Sequence, residues 1–192
     1  MPQPKSRTLG AFMQISLDGY YCEPHGDMSF AHKPPGDTEW HQFVTGNASG
    51  GGVLLFGRTT YDMMAAWWPT PMAANAMPEV AARMNAMPKI VFSRTMRSAD
   101  WSNTTLVKDD VVGTVRRMKD ESGPDMAILG SGSIVTQLAG AGLINTFQIV
   151  VNPVALGAGK SLFSGLTHQL ELVLTNTRVF RNGSVVLWYA PR

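Results

Sequence analysis

The chain alternates short, nearly unbroken apolar runs with stretches whose apolar positions return at helical spacing. Residues 9–17 (LGAFMQISL) are apolar with little polar alternation, as in a central strand covered on both faces. Asp18-Gly19 ends that run. Residues 20–35 are rich in Gly, Pro, His and aromatic side chains, too irregular for a helix and long for a connector, so they read as a functional loop and candidate lid. Asp37 or Thr38 caps a helix reaching about Asn47. After three glycines, residues 53–56 form a second buried strand; Gly57-Arg58-Thr59-Thr60 then opens a helix over residues 61–66, stopped by Trp67-Trp68-Pro69. A helix over Pro78–Ala86 follows, with proline in its first turn. Met77, Met84 and Met87 read as flexible core filling.

Residues 89–92 predict a third strand, ending at Ser93-Arg94-Thr95, and residues 104–107 a short fourth. Asp109 or Asp110 caps a helix through Lys119, and Gly123-Pro124 turns the chain into residues 126–141 (MAILGSGSIVTQLAGA). That stretch is a buried strand, four small residues, and a helix marked by Ile134, Val135 and Leu138. Residues 145–152 are strand, and 153–160 (PVALGAGK) a glycine-bearing loop. Two β-rich runs, 170–180 and 184–189, meet at Arg181-Asn182-Gly183, a hairpin signal. Strand and helix alternate first and antiparallel strands come last. This order predicts an α/β single domain over residues 1–192, with a mostly parallel sheet finished by a C-terminal antiparallel hairpin at an edge.

Composition narrows the function classes. With 192 residues, 44% of them hydrophobic, the chain can bury one sizeable core. A net charge of +2 with 16% charged residues predicts no partnership with nucleic acid or a membrane surface. The single cysteine, Cys22, excludes an intramolecular disulfide framework and reads as a small packing residue in a reducing compartment. Residues 1–8 form a polar, flexible lead-in without the apolar core of a signal peptide, and no run is long enough to span a bilayer. A cytoplasmic protein is expected. The four histidines show no metal-ligand spacing, so no metal is expected.

Ligands of open α/β sheets sit beyond the carboxyl ends of parallel strands. Three polar clusters fall there: Gly57 to Thr60, Ser93 to Thr95, and Gly130-Ser131-Gly132-Ser133. The first and third repeat one device, a strand turning through glycine and small hydroxyl residues into a helix. Such a turn aims backbone N–H groups and the helix dipole at an anion, most often a phosphate. The same turn also serves as a tight connection that binds nothing. Two such turns, with Arg58 and Arg94 as cations, fit a phosphorylated dinucleotide. The common dinucleotide fingerprint is absent: Val135 stands at its third glycine, and its ribose-binding acid has no counterpart near Asn152. With no such acid and with Arg94 between two hydroxyl residues, NADPH is favoured over NADH.

The strand followed by Gly57-Arg58-Thr59-Thr60-Tyr61 and Trp67 resembles the cofactor-binding helix start of the dihydrofolate reductase fold. Ser16-Leu17-Asp18-Gly19-Tyr20, Val91-Phe92-Ser93-Arg94-Thr95, the Ile128-to-Ser133 run and residues 153–163 (PVALGAGKSLF) resemble more closely the branch related to the C-terminal reductase domain of riboflavin biosynthesis. The resemblance implies a three-layer α/β/α fold, a homodimer, and NADPH-dependent reduction of a pterin or ribosylated aminopyrimidine. By motif, it implies that Arg58, Thr59 and Thr60 hold phosphates near the adenosine end, with Gly57 at the turn. Ser93 and Arg94, flanked by Thr95, take the 2′-phosphate. Gly130, Ser131, Gly132, Ser133 and Ile134 take the pyrophosphate, and Leu17 and Asp18 flank the nicotinamide.

On the substrate side, Asp37 and Trp40 have the D-x-x-W spacing of some members, which makes Asp37 either the ring-binding carboxylate or the helix N-cap. Gly157, Lys160 and Phe163 are further candidates for substrate contact. Asp18 and Asp37 are the candidate catalytic acids, with water as the other source of a proton.

Overall fold

The computed structural model describes residues 6–192. The elements run β1 (Leu9–Ser16), β2 (Tyr20–Cys22), a 3-10 turn (Ser29–Ala31), α1 (Thr38–Ser49), β3 (Val53–Gly57), α2 (Arg58–Trp67), α3 (Pro71–Ala76), α4 (Pro78–Ala86), β4 (Lys89–Phe92), β5 (Thr104–Val107), α5 (Val111–Asp120), β6 (Met126–Leu129), α6 (Gly132–Gly140), β7 (Thr146–Asn152), β8 (Lys160–Ser161), β9 (Leu172–Val179) and β10 (Val185–Pro191). Eight of the strands form one sheet in the order β5-β4-β3-β6-β1-β7-β10-β9. The first six are parallel; β10 runs antiparallel to both β7 and β9. This is the expected parallel sheet with its antiparallel hairpin, and β5 and β9 are its edges.

Helices cover both faces, giving three layers. All five residues of β3 are buried. Its alternate side chains divide between two cores: Val53 and Leu55 pack with Val115 of α5 and Val135 and Leu138 of α6. Leu54 and Phe56 pack with Tyr61 of α2 and Val80 and Met84 of α4 on the opposite face. Met84 is buried there with Met77 and Met87 against it, so the methionines fill core. A third cluster joins Trp40 and Phe43 of α1 to Phe180 and Val186. Cys22 is buried as well.

Several local expectations change. The segment 20–35 is partly regular: β2 pairs antiparallel with β8, and Ser29–Ala31 makes a 3-10 turn. Neither β8 nor α3 is marked by the hydrophobic pattern. Two residues leave no period, and α3 is a six-residue helix. Thr70 caps α3, with its hydroxyl accepting from the Ala73 amide at 3.2 Å. The lead-in is not free where it is described. Arg7 is buried and donates to the carbonyl of Pro124 at 2.6 Å and of Met118 at 3.3 Å. The remainder, residues 1–5, lies outside the described residues. No described helix is long and apolar enough to cross a membrane.

Lys89, first residue of β4, is the most unexpected core residue, only 1% exposed. Its ammonium lies over the Trp101 ring, 4.4 Å from the centroid, and donates to the carbonyls of Met84, Asn85 and Met87 at 2.8, 3.1 and 2.6 Å. These carbonyls lie at the C-terminal end of α4, where a cation also meets the negative end of the helix dipole. Burial lowers its pKa to about 8.

Candidate functional site

The carboxyl ends of β3, β4, β5 and β6 surround a cleft of about 530 Å³. Its floor is made where the two glycine turns meet. Gly57 ends β3 in extended backbone, and a β-carbon built on it would stand 2.3 Å from Ser131 Oγ and 2.8 Å from Ser131 Cβ. A β-carbon on Gly130 would meet Thr60 Cγ2 at 3.3 Å, and Gly130 has φ +87°. Ser131 follows at φ +75°, a left-handed conformation that costs a non-glycine residue about 1 kcal/mol or more. Glycine is therefore required at position 57 by close approach and favoured at 130 by backbone angle. Neither α2 nor α6 is capped by a side chain, so no side chain occupies their first amides, while the Ile134 amide of α6 turns back to the Ser131 carbonyl at 3.0 Å.

Of the sequence-derived cofactor residues, Gly57, Arg58, Thr59, Ser93, Arg94, Ser131, Ser133 and Ile134 line this cleft. The others stand behind or beside it. Thr60 is buried against Gly130. Thr95 accepts from Arg58 Nη1 at 2.9 Å, and Arg58 also pairs with Asp62 at 3.5 Å. Gly132 is buried beneath the ring of Tyr21, which leaves no room for a β-carbon. Leu17 projects from the end of β1, 70% exposed. The Ser93 hydroxyl accepts from the amide of Met96 at 3.1 Å and so shapes the turn that presents Arg94. Among the described residues, the Arg94 guanidinium has no hydrogen bond or ion pair and is exposed. An exposed cation with no internal partner at the rim of this cleft is available to a ligand.

The cleft has a third wall that the three sequence clusters omit: Val107, Lys108, Asp109, Asp110, Val111 and Val112, with Gln137 of α6 opposite. These residues too follow a parallel strand, so the same rule reaches them once β5 is seen to pair parallel with β4. Asp110 itself is the cap of α5, accepting from the Gly113 amide at 2.8 Å.

On the other side of β1 the candidate acids are occupied. Asp18 accepts from Ser16 Oγ at 2.6 Å and from the amides of Leu156 and Gly157 at 3.1 and 2.7 Å. These donors, led by the Ser16 hydroxyl, hold its pKa at about 2, below the ordinary 3.8. Asp18 thereby fastens the 153–160 loop to the end of β1, where Gly157 supplies a positive φ of 74°. Asp37 caps α1 through the Trp40 amide at 3.0 Å and accepts from Asn182 Nδ2 at 2.6 Å. Its pKa is lowered, first by the Trp40 amide and then by Asn182. Both carboxyls are ionised at neutral pH. The cap alternative for Asp37 is therefore the geometry observed.

Trp40 is 6% exposed, with its ring 5.3 Å from those of Phe43 and Phe180. Phe163 packs against Phe147 at 6.0 Å. Trp40 is a core residue and Phe163 is half-buried against the core, both apolar enough to serve a ligand or an interior equally well in sequence. Lys160 is exposed on β8, opposite Cys22. Among the described residues no three His, Cys, Asp or Glu side chains gather as metal ligands.

The Asp18→Asn variant is expected to release the 153–160 loop, seen as faster protease cleavage there than in the wild type. In the wild type the carboxylate's contribution is complete above pH 3.8 and lost as pH falls toward about 2. Acid titration should therefore loosen the wild-type loop across that window and leave the variant's loop unchanged.

The profile of the RibD C-terminal domain family matches residues 7–186. The uncharacterized protein YyaP of Bacillus subtilis (strain 168) is 26% identical over 187 residues, covering 96% of this chain and 95% of its own. A solved structure of a putative riboflavin biosynthesis protein from Shewanella sp. PV-4 superposes with a TM-score of 0.75 at 21% identity, covering 96% of this chain and 99% of that one. Enterococcus faecalis dihydrofolate reductase, solved with NADP(H), superposes with a TM-score of 0.61 at 14% identity, covering 96% of each chain. The three-layer sheet, its hairpin and the matched profile agree: the chain belongs to the RibD C-terminal domain family, with the dihydrofolate reductase-like fold.

Proposed function

We propose that the protein is an NADPH-dependent reductase that transfers a hydride to a pterin-like or ribosylated aminopyrimidine substrate. The observation that carries this reading is the cleft in which the two glycine turns touch and Arg94 stands without an internal partner. Its residues fit the cofactor. The uncapped start of α6, with Ser131 and Ser133, would hold the pyrophosphate. Arg58 and Thr59 at the start of α2 would hold phosphate near the adenosine end, and Arg94 the 2′-phosphate. NADPH, when bound, supplies the hydride.

The protein's part is positioning. Leu17 offers an apolar surface at the end of β1, and Asp18 fixes the backbone of the 153–160 loop beside it. As ionised acceptors, Asp18 and Asp37 hold no proton to give, so water supplies the proton that balances hydride addition. The edge strand β9, exposed along nearly its whole length, supports the homodimer implied by the resemblance.

A second reading, an NADP(H)-binding protein without folate or riboflavin-pathway turnover, is favoured by the occupied state of both acids. One experiment separates the two. NADPH and NADH are titrated against tryptophan fluorescence, then dihydrofolate and a ribosylaminopyrimidine are added and NADPH absorbance followed. Oxidation supports the reductase; binding without oxidation of either substrate supports the second reading; no binding of either nucleotide removes both. In the same assay Arg94→Ala should weaken NADPH about tenfold or more and NADH little, the scale of one charge-assisted pair. Equal losses would move the 2′-phosphate elsewhere.

A further inference from the structure

The carboxyl edge of β1 and β7 carries a group that the cofactor reading does not use. Ser16 and Asn152 are register partners at that edge, and both are fully buried. Asn152 donates to the Ile15 carbonyl at 3.0 Å, which fixes its amide, and its Oδ1 accepts from Lys33 Nζ at 2.5 Å. The segment bearing Lys33 is set against β1 by the preceding 3-10 turn, where Ala31 is buried. Lys33 lies over the Trp40 ring, 5.4 Å from its centroid. An ammonium has three donors, and one is used.

Among the described residues no carboxylate lies within ion-pair distance of Lys33. Its nearest charged neighbour in effect is Asp37, whose two oxygens are committed to Trp40 and Asn182. Burial lowers the Lys33 pKa, and the charge of Asp37 offsets only part of that. Leu17, exposed, ends the same strand edge.

We infer that Lys33 is a substrate-binding cation: the ligand beside β1 and β7 presents an anionic oxygen to its ammonium, and not an amidine-like face to a carboxylate. The inference rests on the reductase reading for its place beside the hydride, but the binding itself is independent of it. A diaminopyrimidine ring, which needs a free carboxylate, finds both Asp37 oxygens already committed. An acidic pyrimidine oxygen or a substrate phosphate meets the two remaining N–H donors.

Calorimetric titration tests this with three probes: barbiturate as the acidic pyrimidine, inorganic phosphate, and 2,4-diaminopyrimidine. Wild-type protein should bind barbiturate, phosphate or both, and bind them more tightly than the diaminopyrimidine. Whichever anion binds names the source of the oxygen. Lys33→Gln should weaken that anion about tenfold or more, Lys33→Arg should recover most of the loss, and the diaminopyrimidine should be unaffected. Tighter binding of the diaminopyrimidine, binding of neither anion, or equal anion affinity in Lys33→Gln would overturn the assignment. Unchanged NADPH affinity in Lys33→Gln would show its cofactor cleft intact; failure of the wild type to bind NADPH sinks the reductase reading alone.

Discussion

Gly57→Ala is expected to bind NADPH at least about tenfold more weakly and to unfold about 1–3 kcal/mol more readily, the usual cost of overpacking a filled site. The backbone is not the cause, since Gly57 sits at φ −82°, ψ 164°, where alanine is comfortable. The cause is the added carbon, 2.3 Å from Ser131 Oγ and 2.8 Å from Ser131 Cβ. No rotation of the hydroxyl removes the second clash, so the two turns must part, and the uncapped start of α6 moves with them. Ser131→Gly removes both clashing atoms and relieves the positive φ of 75°. Alone it should stabilise the protein by about 1 kcal/mol, and combined with Gly57→Ala it should restore stability. Urea unfolding and nucleotide titration of the four proteins decide the matter. A double variant no better than Gly57→Ala would mean that the turns are not coupled through this contact.

Lys89→Ala is expected to cost about 2–4 kcal/mol at neutral pH, from the cavity left by a fully buried side chain and from helix carbonyls left short of donors. The pH dependence is sharper. Lys89 has its pKa lowered to about 8 from an ordinary 10.5, so between those values the unfolded chain binds more protons than the native one. Stability therefore rises with pH across that window, as the native state sheds a charge it holds at a cost. Other groups also titrate there, so the comparison is with Lys89→Met, which keeps the bulk. The stability of the wild type relative to Lys89→Met should grow from pH 8 to pH 10.5. A constant difference in urea midpoint would show that the ammonium is fully compensated by its three carbonyls and Trp101.

Local signals carried most of the fold. Strand β3 and the start of α2 can be read because buried apolar residues, a glycine and small hydroxyl residues follow one another within eight positions, 53–60. The turn from β6 into α6 reads the same way. What the sequence does not reveal depends on distant partners. Asp37 fits a cap or a ligand site equally until Asn182, 145 residues away, takes its second oxygen. Trp40 is a candidate contact until Phe180 covers it. Lys89 stands at the start of an apolar strand, where polar residues are ordinarily at the surface; only the end of α4, brought beside it, makes the interior tolerable. Lys33 leaves no pattern at all, because its partner Asn152 arrives from β7.

The place of β1 in the sheet has a consequence for how the chain is made. Its neighbours are β6 and β7, and the amides of Thr8 and Leu9 at its start donate to the side chains of Asp125 and Asn145, 117 and 136 residues away. β1 precedes both partners in the chain by more than a hundred residues and must wait for both to be made before it pairs. Until it does, β5-β4-β3-β6 and β7-β10-β9 are two separate ribbons with no bond between them. Pairing β1 closes loops of 117 and 136 residues, the slow and aggregation-exposed step for a parallel sheet. Strand β1 is the clasp: neither half of the sheet meets the other before it is in place.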